Sequence, residues 1–209
     1  MHSQLRGGTV RNLFTIGVVV ATLLCLCAPA ALAEPVPIAD VARSTSTDDG
    51  WQLSTSLTNM TVNSVPNMAA TAFTREGFVS GKALATIDGA GAVPVNAGTL
   101  VLGVQLGCQV DLSSGLDLGL SNESDLVATR PFEDLLPYIS VTLKPGSITS
   151  LSLGKKSVKG RAGKISVHDA HVKVDACGGP VSVRMFASAT LYTDTSDDSV
   201  SIYGNILPL

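Results

Sequence analysis

Residues 99–120 read TLVLGVQLGCQVDLSSGLDLGL. The even positions are Leu100, Leu102, Val104, Leu106, Cys108, Val110, Leu112, Ser114, Leu116, Leu118 and Leu120, and only Ser114 among them is polar. The odd positions are mainly Gly, Gln, Asp, Ser and Thr. Successive side chains of a strand point to opposite faces, so a period of two held this long specifies a pleated surface with one buried side. Cys108 falls on that buried side.

The same pattern recurs on the C-terminal side. Ile139, Val141 and Leu143 alternate before Pro145-Gly146, and Thr149, Leu151 and Leu153 alternate before a basic stretch. Val181, Val183, Met185, Ala187, Ala189 and Leu191 form a second long alternating run after Gly178-Gly179-Pro180, and Val200 and Ile202 close the chain. Turn chemistry fills the gaps at Asp88-Gly89, Ser113-Ser114-Gly115 and Asp194–Ser199. Two short helical pieces are expected, one at Met68–Phe73 after Val65-Pro66-Asn67 and a single turn at Arg130–Leu136. The fold class is all-β, without an internal repeat.

The N-terminus is an export signal. Arg6 and Arg11 give a positive start, Leu13–Cys27 is an apolar run, and Pro29 precedes the small-x-small site Ala31-Leu32-Ala33. The run is short of the ~20 residues of a membrane-spanning helix, so cleavage after Ala33 is expected. Three parts follow: a signal peptide at 1–33, a polar, loosely held extended segment at 34–50, and one β domain at 51–209. Removal of two arginines and no acid takes the formal charge from −3 to −5. A slightly acidic chain lacks the basic footprint of a nucleic-acid binder. Its 45% hydrophobic and 15% charged residues exclude a disordered chain.

Two cysteines, Cys108 and Cys177, remain after the leader is removed. In an exported protein such a pair invites a disulfide, with two buried thiols as the alternative. No C-x-x-C or Cys/His cluster points to a metal, and no cofactor is implied. His168 and His171 lie three apart, which on a regular strand puts them on opposite faces. There is no G-x-S-x-G, Walker loop or H-E-x-x-H, so the sequence carries no enzyme signature. Lys155, Lys156, Lys159, Arg161 and Lys164 read as a solvated hairpin turn, with an anionic partner site as the alternative. Asn59-Met60-Thr61 and Asn122-Glu123-Ser124 match the glycosylation pattern, which matters only in a source that glycosylates.

Several segments resemble the MspA-type porins of mycobacteria and related mycolic-acid bacteria. Phe73-Thr74-Arg75-Glu76-Gly77-Phe78-Val79-Ser80-Gly81-Lys82-Ala83 is similar to that family's Leu-Thr-Arg-Glu-Trp-Phe-His-Ser-Gly-Arg-Ala, and Leu102-Gly103-Val104-Gln105-Leu106-Gly107 to its Leu-Gly-Tyr-Gln-Ile-Gly. Ala170-His171, Gly178-Gly179 and Asp198-Ser199-Val200-Ser201-Ile202-Tyr203-Gly204 follow in the family's order. The likeness is collinear over roughly residues 50–205.

The resemblance implies a β-sandwich-like rim domain on a subunit of a homo-oligomer, eight copies in the family. Each subunit lends a two-stranded stem to a barrel through the mycolic outer membrane. Small hydrophilic solutes pass through, and no catalysis is implied. The chain departs from the family pattern at 121–138, SNESDLVATRPFEDLLPY, which holds five charges and two prolines where a long hairpin is expected. A membrane strand needs ~9–11 residues and tolerates proline only at edges or bulges. The stem is therefore shortened, drawn in part from Thr99–Leu120, or absent. Glu123 and Asp125 are pore-lining candidates, with a solvated loop as the alternative. Two functions follow. One is a porin subunit at the outer membrane. The other is an exported, disulfide-stapled sandwich without a spanning stem, acting as a binding or accessory module at the cell surface, alone or with related porin subunits.

Overall fold

The computed structural model describes residues 34–110, 138–142 (as backbone), 146 and 148–209. These residues form eleven strands and no helix. In chain order they are β1 (Val36–Ile38), β2 (Val41–Ser46), β3 (Gln52–Val65), β4 (Arg75–Asp88), β5 (Ala97–Cys108), β6 (Tyr138–Thr142), β7 (Ile148–Val158), β8 (Ala162–Asp175), β9 (Val181–Tyr192), β10 (Asp197–Tyr203) and β11 (Leu207–Pro208).

They build two sheets. The first runs β1-β3-β4-β8-β6, with β2 also paired to β3. The second runs β10-β9-β5-β7, with β11 paired to β9. The pairings are antiparallel except that of β6, which lies parallel to β8 with Tyr138 opposite His171. β3 and β4 of the first sheet pack over β9 and β5 of the second.

The period-two pattern is what closes this sandwich. Leu100, Leu102, Val104, Leu106 and Cys108 from β5 and Val181, Val183, Met185, Ala187, Ala189 and Leu191 from β9 are all buried. Leu53, Leu57, Met60 and Val62 of β3 and Val79, Ala83, Ala85 and Ile87 of β4 meet them from the opposite sheet. Burial of each large aliphatic side chain contributes about 1.5–3 kcal/mol, which makes this interface the main source of stability.

Two bulges shape the first sheet. Asn59 on β3 and Asp169 on β8 have positive φ of 53° and 49°. Asn and Asp enter this left-handed region more readily than other non-glycine residues. Both bulges are tied by side chains. The Asn59 amide donates to Asp40 Oδ1 at 3.0 Å, and the Asp169 amide donates to Ser80 Oγ at 2.9 Å.

Two expectations are corrected. Residues 34–50 are extended but not loosely held: β1 and β2 pair along β3, and Ile38 joins the core. Both faces of β2 are largely exposed, so its pairing rests on backbone hydrogen bonds and leaves no apolar period to read. Met68–Phe73 forms turns, not a helix. Asn67 Nδ2 donates to the carbonyls of Thr71 and Thr74, and its Oδ1 accepts from the Thr71 amide, which satisfies locally the groups a helix would have paired. Arg130–Leu136 lies outside the described residues.

Candidate functional site

β5 is central to its sheet, with β9 along one side and β7 along the other. Residues 97–108 have both backbone edges and one face committed to the sandwich, so they are not available to a barrel shared with other subunits. The even positions through Cys108 are core positions. The alternation is that of a sandwich face, which has the same period as a lipid-facing strand. Positions 111–120 of the run lie outside the described residues.

At the end of β5 the chain is held by a covalent bond. Cys108 and Cys177 form a disulfide with a Cα–Cα separation of 5.9 Å, closing 69 positions of sequence. Backbone bonds surround it: the Cys177 amide donates to the Phe73 carbonyl at 2.9 Å and the Gly178 amide to the Val110 carbonyl at 2.8 Å. Thr74 Oγ1 donates to Asp175 Oδ1 at 2.9 Å, joining the β3–β4 loop to the end of β8. Four segments thus meet where β5 ends: the β3–β4 loop, residues 108–110, the end of β8 and the β8–β9 connection. Alternation in 99–120 located β5 but not this junction. Its one local signal was the spacing of Asn67, Thr71 and Thr74.

The remaining residues singled out from the sequence are placed as follows. Ala33, Glu123 and Asp125 lie outside the described residues, as does most of 121–138. His168 and His171 both occupy the outer side of the first sheet, which corrects the expectation of opposite faces. The Asp169 bulge resets the parity: Val167 and Ala170 both turn to the core, and the histidines between and after them both turn away. His171 Nε2 lies 3.4 Å from Glu76 Oε2, and its ring packs against Phe78 at 5.2 Å. Among the described residues no group of three or more His, Cys, Asp or Glu is placed to hold a metal ion.

The basic cluster divides across a corner between the sheets. Lys155 and Lys156 lie on β7, Lys159 and Arg161 in the turn, and Lys164 on β8. Arg161 stacks over Trp51 at 5.4 Å and donates to the Gly89 carbonyl, so it serves the turn itself. Among the described residues β7 is an edge strand, and lysines on such an edge oppose pairing with other chains.

At this same end Thr193 and Thr195 donate their hydroxyls to Asp49. These bonds, that from Thr193 first, hold the Asp49 carboxyl below its ordinary value. A shallow groove of about 350 Å³ on the outer face of the first sheet is lined by Ser44, Ser54, Ser56 and Thr86 with Arg43 and Leu84 beside them. Among the described residues its lining holds no carboxylate or imidazole.

Comparison with known proteins gives one consistent result. The MspA family model matches residues 49–207. Porin MspD of Mycolicibacterium smegmatis is 31% identical over 190 residues, covering 83% of this chain and 90% of that protein. Porin MspB of the same organism is 34% identical over 146 residues, covering 63% of this chain and 66% of that protein. Porin MspC matches over the same length at 34%.

Proposed function

Because the chain belongs to the MspA family, we propose that it is a subunit of an oligomeric outer-membrane channel that passes small hydrophilic solutes and performs no catalysis. The observation that carries this reading is where the chain leaves and rejoins the sandwich. β5 ends at Cys108 in one sheet and the chain resumes at Tyr138 in the other. Residues 109 and 110 are still held to the β8–β9 connection, and residues 111–137 leave room for two membrane strands of ~9–11 residues and a turn. This interval is longer than the 121–138 segment that the sequence alone marks out. Its first half continues the alternation through Leu112, Leu116, Leu118 and Leu120.

In this reading the sandwich is the rim and the disulfide fixes the base from which the stem projects. Closure of stems from several subunits, eight by analogy with the family, pairs every backbone group without exposing an edge to lipid. Glu123 and Asp125 fall near the middle of the interval and would line the lumen, favouring cations. Export through the leader ending at Ala33 delivers the chain to a compartment where a structural disulfide persists.

A second reading is favoured by one observation. The return half of the interval contains Pro131 and Pro137 and the charges Arg130, Glu133 and Asp134, which suit a membrane strand poorly. On that reading the chain is an exported accessory sandwich that assembles with related porin subunits. Swelling of liposomes loaded with an impermeant polymer and diluted into isotonic pentose separates the two. Swelling with the purified protein alone supports the channel. No swelling alone, but swelling restored by a related porin subunit, supports the accessory module.

A further inference from the structure

The β3–β4 loop, residues 66–74 (PNMAATAFT), inverts the usual polarity of a surface turn. Its polar side chains are spent internally: Asn67 braces Thr71 and Thr74, Thr71 bonds Thr74, and Thr74 reaches Asp175. Its apolar side chains face outward, with Met68 94% and Phe73 53% exposed. The loop contains no charged residue. Its position is fixed, since the Phe73 carbonyl accepts from the Cys177 amide beside the disulfide.

Three more large apolar side chains are exposed at this end: Val110 at 44%, Ile148 at 65% and Ile206 at 62%. Ile148 and Ile206 wall a small cavity whose other side carries Gln105 and Arg184. The opposite end of the sandwich is built differently. Its turns carry Asp48, Asp49, Asp88, Lys159, Arg161 and Asp194. A domain with charged turns at one end and a braced apolar loop at the other has an orientation. Exposed apolar surface gathered in one place marks a contact surface.

We infer that the disulfide end of the sandwich rests on lipid, with Met68 and Phe73, flanked by Ile148 and Ile206, seated at the headgroup–acyl boundary of the outer leaflet. This rests on the channel reading, because the same end is where β5 stops and the proposed stem, residues 111–137, would begin. Lipid is the occupant that both observations share: the loop itself is apolar and uncharged and adjoins the departure point of the stem, and the charged side chains at its margin, Arg75, Glu76, Lys173 and Arg184, would meet the headgroups. Interfacial elements of this kind sink about 5–10 Å into the boundary region.

Trp51, the single tryptophan, lies at the charged end and provides an internal reference. The test reconstitutes wild type, Phe73→Trp and Met68→Trp into phosphatidylcholine vesicles carrying doxyl label near the headgroup or at the chain end. Expected are an unquenched Trp51 in wild type and a loss of the emission added by each substitution, greater with the headgroup-proximal label. Unquenched emission from both substituted proteins, with conductance retained, overturns the inference and leaves the channel intact. A second copy or residues 111–137 would then cover the surface. Absence of both quenching and conductance overturns the channel reading and this inference with it.

Discussion

Breaking the Cys108–Cys177 bridge should produce a large loss of stability with little change in core packing. The two cysteines are 69 positions apart. Cross-linking a loop of that length removes about 4 kcal/mol of chain entropy from the unfolded state. Both sulfurs are buried among core residues, so reduction keeps them in the core but makes the two thiols move apart, which adds to the loss of the covalent link. The loss corresponds to roughly a thousandfold shift in the folding equilibrium, since 1.4 kcal/mol is tenfold. For a domain of this size the thermal midpoint should fall by about 8–16 °C. Urea and thermal unfolding followed by far-ultraviolet circular dichroism, with and without reductant, give the comparison. Cys108→Ala/Cys177→Ala should lose at least as much as the reduced wild type, because it also removes both sulfurs from the core. The intervening residues include β7 and β8. If the unfolded chain does not hold them together, reduction must cost stability. An unchanged midpoint on reduction would refute this reasoning.

Further outcomes follow from other parts of the fold. Leu102→Ala, at a fully buried position of β5, should cost about 2–5 kcal/mol in urea unfolding. A Cβ at Gly103 would come within 2.3 Å of the Leu151 carbonyl oxygen and 2.6 Å of the Phe186 ring. Gly103→Ala should therefore destabilise by about 1–3 kcal/mol in the same assay. The hydroxyls of Thr193 and Thr195 depress the Asp49 carboxyl in the folded state. A carboxylate with a lowered folded value contributes stability above its unfolded value, near pH 4, and loses it as pH falls through the folded value. The stability advantage of wild type over Asp49→Asn should accordingly shrink on acidification below about pH 4.

The second sheet was legible in the sequence because β5 and β9 carry unbroken period-two runs of large apolar residues. The first sheet was not, for reasons visible in its strands. On β3, Thr55 takes a core position and the Asn59 bulge moves the next apolar core residue from the expected 59 to Met60. On β4 the inward positions include Gly77, Gly81, Ala83 and Ala85, too small to stand out against the polar face. On β8 the Asp169 bulge reverses parity midway, which also misled the placement of the histidines. Of the candidate site, the cysteine pair was readable from export logic. The junction around it was not, since it is assembled mainly from backbone groups of Phe73, Val110 and Gly178, and the spacing of Asn67, Thr71 and Thr74 marks only its loop. Alternation over 99–120 did not by itself separate a sandwich face from a lipid face, because the two share one period; the pairing of β5 with β7 and β9 assigns its residues to the sandwich.

The central claim is that residues 111–137 give this MspA-family subunit a stem that crosses a membrane. Single-channel recording of the purified protein in a planar bilayer tests it most directly. The account predicts discrete, long-lived conductance steps, with cation preference reduced by Glu123→Lys/Asp125→Lys. A silent bilayer from protein shown to be folded, disulfide-bonded and oligomeric would contradict it.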